Sequence, residues 1–89
     1  MGSMNIKLKI MPESPEVNLE ELKENIAKTI EENQGKGVSF EEQPIAFGLK
    51  ALMTMFILPE DSEPEQLENK ISEIENIGSV EVEDMRRAI

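Results

Sequence analysis

The sequence predicts an α+β sandwich in which a strand-helix-strand unit occurs twice, and three observations support this. Four stretches alternate between apolar and polar residues or run almost wholly apolar, two others carry apolar residues at spacings of three and four, and the order of the first half repeats in the second. A chain of 89 residues buries roughly 60% of its unfolded surface, enough for one two-layer core and too little for a deep substrate cavity.

The first strand is expected from Met4 to Ile10. Met4, Ile6, Leu8 and Ile10 share one side, and Asn5, Lys7 and Lys9 the other. Met11-Pro12-Glu13-Ser14-Pro15 should end it, because proline lacks the ladder donor and biases its predecessor away from helix. Met1-Gly2-Ser3 reads as an expression remnant (residues 1–3) ahead of a native Met4, leaving a single domain over residues 4–89. Asn18 is placed to cap a helix, with Glu21 three positions on, and Leu19, Leu22, Ile26 and Ile30 line one face. The helix is expected to stop near Gly35-Lys36-Gly37.

Val38 and Phe40 alternate with Ser39 and Glu41 in a short second strand, which leads into the turn Gln43-Pro44-Ile45-Ala46-Phe47-Gly48. A third strand, Leu49 to Leu58, is nearly all apolar and should be central. Lys50 and Thr54 share a parity, so Leu49, Ala51, Met53, Met55 and Ile57 are expected to face the core, with Leu52 and Phe56 on the opposite face. Pro59 to Asp61 breaks the strand. Ser62 with Glu65 is a second capping candidate before Leu67, Ile71 and Ile74, and Gly78 should end that helix. Val80 and Val82 alternate with Glu81 and Glu83 in a last strand that runs into Met85-Arg86-Arg87-Ala88-Ile89. The order βαββαβ, with the two halves echoing one another, is that of a ferredoxin-like two-layer sandwich. It predicts a four-stranded antiparallel sheet, two helices on one face, the first and third strands in the middle, and the other face open.

Composition then excludes several functions. Nine basic against 19 acidic residues give a net charge of −10, which argues against direct nucleic-acid binding and fits a basic protein partner. Without Cys or His there is no thiolate or imidazole chemistry, and no acidic run has the Asp-rich loop with central Gly that calcium requires; neither metal nor cofactor is expected. The carboxylate pairs, such as Glu20-Glu21 and Glu31-Glu32, lie side by side on polar faces and not across a cleft, so they read as solvated surface. No apolar run approaches the ~20 residues of a membrane span, and no signal peptide is evident, so a cytoplasmic protein with no membrane partner is expected.

Two features remain. Phe47 sits in a turn between two strands, where its plain reading is an aromatic folded back onto the core edge. Arg86-Arg87 is a basic pair after a stretch, Glu60 to Asp84, holding ten acids and one Lys; its plain reading is a solvated tail.

At these residues the chain resembles the archaeal elongation factor 1-beta family, which is similar to the C-terminal catalytic domain of the eukaryotic beta subunit. The resemblance runs from Met4 onward. It is most specific at Lys9-Ile10-Met11-Pro12-Glu13-Ser14-Pro15, at Pro44-Ile45-Ala46-Phe47-Gly48-Leu49-Lys50-Ala51-Leu52 and at the basic C-terminal end. It implies the same fold and a guanine-nucleotide exchange factor, not an enzyme, that promotes GDP release and GTP reloading on the GTPase elongation factor 1-alpha. It also implies that Phe47 contacts the GTPase and that Arg87 stands where eukaryotic members have a Lys entering the magnesium site, with Arg86 beside it. Arg offers a planar fork where Lys offers a compact point charge. Arg86 and Arg87 are thus the expected exchange residues. Pro44, Ile45, Phe47, Gly48, Lys50 and Met85 are the expected partner-binding residues, in a protein monomeric when free. Parallel third and fourth strands would put Phe47 and Arg87 on the order of 30 Å apart, at opposite ends of the sheet. The competing expectation, from the fold alone, is a noncatalytic ligand-sensing or interaction module that uses the open sheet face around Leu52 and Phe56.

Overall fold

Strand and helix periodicities settle into six elements in the computed structural model, which describes residues 2–88; Met1 and Ile89 lie outside the described residues. They are β1 (Ser3–Pro12), α1 (Leu19–Glu32), β2 (Lys36–Pro44), β3 (Lys50–Pro59), α2 (Pro64–Ser72) and β4 (Ile77–Ala88), with a short 3-10 turn, Ala46–Gly48, between β2 and β3. One antiparallel sheet has the order β2-β3-β1-β4, which puts the first and third strands in the middle as expected of the ferredoxin-like fold.

β1 is longer than its alternation suggested at both ends. Pro12 closes it opposite Ile77, where the missing N–H is tolerated at the strand's last residue. Ser3 pairs with both Pro59 and Ala88, and the Glu60 N–H donates to the Gly2 carbonyl at 3.0 Å. Ser3 is therefore the first residue of β1, and Gly2 lies just outside it.

Ile6, Leu8 and Ile10 of β1 meet Leu22, Ile26 and Ile30 of α1, Leu67 and Ile71 of α2, and Leu52, Phe56 and Leu58 of β3. Each such side chain contributes about 1.5–3 kcal/mol when fully buried. The register overturns the expected facing of β3. Ile6 is opposite Phe56, Leu8 opposite Thr54 and Ile10 opposite Leu52, and residues directly opposite share a face. So the even-numbered residues, not the odd, face the helices. Thr54 misled the parity argument: it is fully buried, and its hydroxyl donates to the Leu52 carbonyl at 3.5 Å. Ala51, Met53, Met55 and Ile57 line the other face, where Ala51 and Met53 are still buried and Ile57 is exposed. Leu49 precedes β3 altogether.

Asn18 caps α1 as expected, its Oδ1 accepting from Glu20 N at 3.1 Å and Glu21 N at 3.3 Å. The helix ends earlier than the glycines implied. Gln34 takes the left-handed position (φ 75°), Gln34 N–H donates to Glu31 O, and Gly35 N–H donates to Ile30 O at 2.8 Å. Gly35 is needed for space, because a Cβ there would collide with Ile30.

At α2 the cap is Glu63, with no side-chain bond, and Pro64 starts the first turn. Ser62 instead donates its hydroxyl to Gln34 Oε1 at 3.2 Å, tying the two helix-flanking loops together. Asn76, not Gly78, is the left-handed residue after α2 (φ 74°). Gly78 lies within β4, where a Cβ would stand 3.1 Å from the Pro12 carbonyl oxygen. No described helix is long and apolar enough to cross a membrane.

Both β3 and β4 run antiparallel to β1, and so parallel to each other. The start of β3 and the end of β4 therefore lie at opposite ends of a molecule 42 Å long and about half as wide.

Candidate functional site

At the first of these ends, the turn after β2 is closed by Ile45 N–H donating to Leu49 O at 2.8 Å and Leu49 N–H donating to Ala46 O at 3.3 Å. Closing so tight a loop forces two successive left-handed residues, Phe47 (φ 64°, ψ 28°) and Gly48 (φ 76°). Glycine adopts this freely. A bulky aromatic does so at a cost of order 1–3 kcal/mol. No packing offsets it, because Phe47 is 93% exposed. The ring does not fold back onto the core edge; it is held out in water on a strained backbone.

Pro44 and Lys50 face each other at the base of this turn, both exposed, with Ile45 half-buried above them. Beneath it, Glu42 bridges sheet and helix. Its Oε2 lies 2.9 Å from Lys23 Nζ of α1, and its Oε1 lies 3.8 Å from Lys50 Nζ. Lys23 also approaches Glu20 at 3.7 Å. The hydrogen bond from Lys23 holds the Glu42 carboxyl below its ordinary range, and the same bond raises the Lys23 ammonium above its own.

At the far end, Arg86 is opposite Asn5 and Arg87 opposite Met4. Alternation along β4 sends the two side chains to opposite faces of the sheet. Arg86 emerges on the open face, its Nε 2.8 Å from Asp84 Oδ2. Arg87 emerges on the helix side and is paired through Nη2 with Glu60 Oε1, from the loop between β3 and α2. Met85 is on Arg87's side, opposite Ile6, and with Val82 forms a partly exposed apolar edge. Both arginines belong to β4 and not to a tail, although their side chains remain largely exposed. The sequence-predicted residues thus divide into two groups: Pro44, Ile45, Phe47, Gly48 and Lys50 at one end, Met85 and Arg87 on one face of the other, with Arg86 behind them.

The carboxylates that hold the arginines were not anticipated. Asp84 could have been found by strand alternation, two residues from Arg86. Glu60 could not, because 27 positions separate it from Arg87 and only the shared neighbour β1 brings them together.

The open face carries Lys7 and Lys9 across from Met55 and Met53. A shallow hollow of about 370 Å³ lies there, between Lys7, Met55, Ile57, Asp84 and Arg86. The side chains of Leu52 and Phe56 are buried in the core, so the interaction module expected from the fold alone loses the residues assigned to it. Among the described residues no group of three or more acidic side chains is arranged to hold a metal ion.

Comparison with known proteins bears on both ends together. Residues 5–88 match the model of the EF-1 guanine nucleotide exchange domain. Similar proteins include the elongation factor 1-beta of Methanosphaera stadtmanae, 46% identical over 89 residues, and that of Staphylothermus marinus, 43% identical over 90. The elongation factor 1-beta of Methanothermobacter thermautotrophicus is 41% identical over 88 residues. In each case 98% of both chains is covered. The match spans every strand and helix apart from the first two residues of β1, and the chain accordingly belongs to the family of EF-1 guanine nucleotide exchange domains.

Proposed function

We propose that this protein promotes GDP release and GTP reloading on the GTPase elongation factor 1-alpha, in the cytoplasm, as a monomer when free and without forming or breaking a covalent bond. The observation that carries this reading is Phe47, an aromatic held almost wholly in solvent on a backbone conformation that its own fold does not reward. Strain kept without an internal return is characteristic of a group that binds something else. Phe47 is the anchor, seated in an apolar pocket on one GTPase domain, with Pro44, Ile45, Gly48 and Lys50 around it.

About 30 Å away, at the end of β4, a second contact reaches the nucleotide site of another domain. GDP is held there largely through its phosphates and a magnesium ion. A guanidinium brought to the ion's position repels it, and nucleotide affinity falls. Since Arg86 and Arg87 leave opposite faces, one approach delivers one of them. Arg87 is assigned this role because Met85, the apolar contact, is on the same side. The acidic body speeds encounter with a basic partner, an effect that salt weakens.

The test is release of fluorescent GDP from archaeal elongation factor 1-alpha, chased with excess unlabelled nucleotide, across a titration of this protein at two salt concentrations. Acceleration at substoichiometric protein is expected. No acceleration in either salt, with a GTPase shown to be competent, would overturn the reading.

A further inference from the structure

The end of the sheet that carries the exchange group also carries its opposite charge. Resting on the reading that Arg87 acts at the partner's magnesium and phosphates, we infer that Glu60 is a positioning residue that sheathes Arg87 in the free protein. The pair must open for exchange.

Glu60 is fixed through its backbone, and its carboxylate is engaged by Arg87. Its Oε1 takes the Arg87 guanidinium, and that pairing involves none of residues 1–3, which the sequence reads as an expression remnant. The two partners come from different elements, the loop after β3 and the end of β4, so their meeting depends on the finished sheet. A guanidinium joined to a carboxylate presents almost no net charge. Such a pair delivered to a magnesium site would offer the ion a ligand as readily as a repulsion. Only the arginine released from Glu60 is a cation in the sense that exchange needs.

The same arrangement has a use in the resting protein. An unpaired guanidinium at the tip of a chain of charge −10 would attract the acidic faces of other copies. The sheath is also weak enough to open. Both side chains are partly solvated, Arg87 66% and Glu60 38% exposed, and pairs of this kind shift an equilibrium by between about 1.4-fold and fivefold.

The experiment measures the maximal GDP-release rate at saturating exchange protein for the unaltered chain, Glu60→Gln, Arg87→Ala and the double variant, at low and moderate salt. Glutamine keeps the shape and removes the charge. The expected result is a rise in the maximal rate of up to about fivefold for Glu60→Gln, with the concentration for half-maximal effect little changed. Glu60→Gln should add nothing in the Arg87→Ala background, and salt should lift the unaltered protein toward Glu60→Gln without lifting Glu60→Gln itself. A Glu60→Gln rate equal to or below that of the unaltered chain, or an equal rise without Arg87, would overturn the inference while leaving the exchange reading standing. No acceleration by the unaltered protein would overturn the exchange reading and this inference with it.

Discussion

The two ends of the sheet present their functional groups in opposite ways. At the β2-β3 turn an apolar ring is displayed with nothing covering it, and the nearby charges, Lys23, Glu42 and Lys50, tie helix to sheet beneath it. At the β4 end the display groups are themselves charged, and each is already occupied by a carboxylate of the same chain. On the proposed reading, the difference follows from what each end does. An anchor gains from being rigid and ready, because any ordering completed before binding need not be lost on binding. A cation that must act only at its target gains from being neutralised until it arrives. In this proposal one end is preorganised and the other is held back.

The largest effect should come from removing the anchor. Phe47→Ala is expected to lower exchange efficiency at limiting protein by 30-fold or more, the loss typical of an aromatic hot spot, while the rate at saturation changes little. The titration of fluorescent GDP release separates the two. Equal losses in both would mean that Phe47 acts in the exchange step and not in docking, and the contrast between the ends would collapse.

Arg87→Ala should do the reverse and lower the saturated rate, by roughly tenfold if one charge-assisted contact of about 1.5 kcal/mol is lost. Arg86→Ala, on the other face, should cost less than half of that in free energy. A larger effect for Arg86 would assign exchange to the open face, beside Lys7 and Met55, and leave Glu60 without a functional partner.

How much of this was legible beforehand differs between the ends for physical reasons. The turn could be read because its signal is local: Pro44 and Gly48 bracket an aromatic within five residues. Only the exposure of Phe47 was hidden, since the same sequence would serve a ring folded inward. The far end depends on pairing between distant strands, and no local pattern joins Glu60 to Arg87. The fold itself was carried by β1 and α1, whose periodicities have one answer. β3 had two, because it is apolar on both faces, and the choice went wrong at Thr54. A β-branched residue whose hydroxyl is satisfied by the backbone two positions away is easily buried, and its polarity was a poor guide to facing.

A third prediction sharpens the idea that the turn is strained for the sake of binding. Phe47→Asn should raise the stability of the free protein by about 1 kcal/mol, because Asn tolerates the left-handed region, and so raise Tm by roughly 4–8 °C. It should at the same time lose exchange efficiency as Phe47→Ala does. Thermal unfolding checks the first part. An unchanged or lower Tm would mean that the displayed ring contributes to the fold after all.

The smallest effect concerns the charges beneath the turn, and its sign follows from the direction of two shifts. Glu42 titrates below its ordinary range because Lys23 hydrogen-bonds its charged form, so the bridge adds stability above the ordinary carboxylate pKa. That contribution is lost as pH falls through the lowered value in the folded protein. Lys23 is shifted upward, so its share is present below the ordinary lysine pKa and is lost as pH rises through the raised one. The bridge therefore contributes across the whole range between and fades on both sides. Glu42→Gln should flatten the acid limb of a stability-pH profile measured by urea unfolding, and should leave the affinity for the GTPase nearly unchanged near neutrality. The corresponding change at the other end, Glu60→Gln, should alter exchange with little effect on the urea midpoint at neutral pH. If instead Glu42→Gln moved exchange and Glu60→Gln moved stability, the ion pairs of the two ends would have exchanged roles.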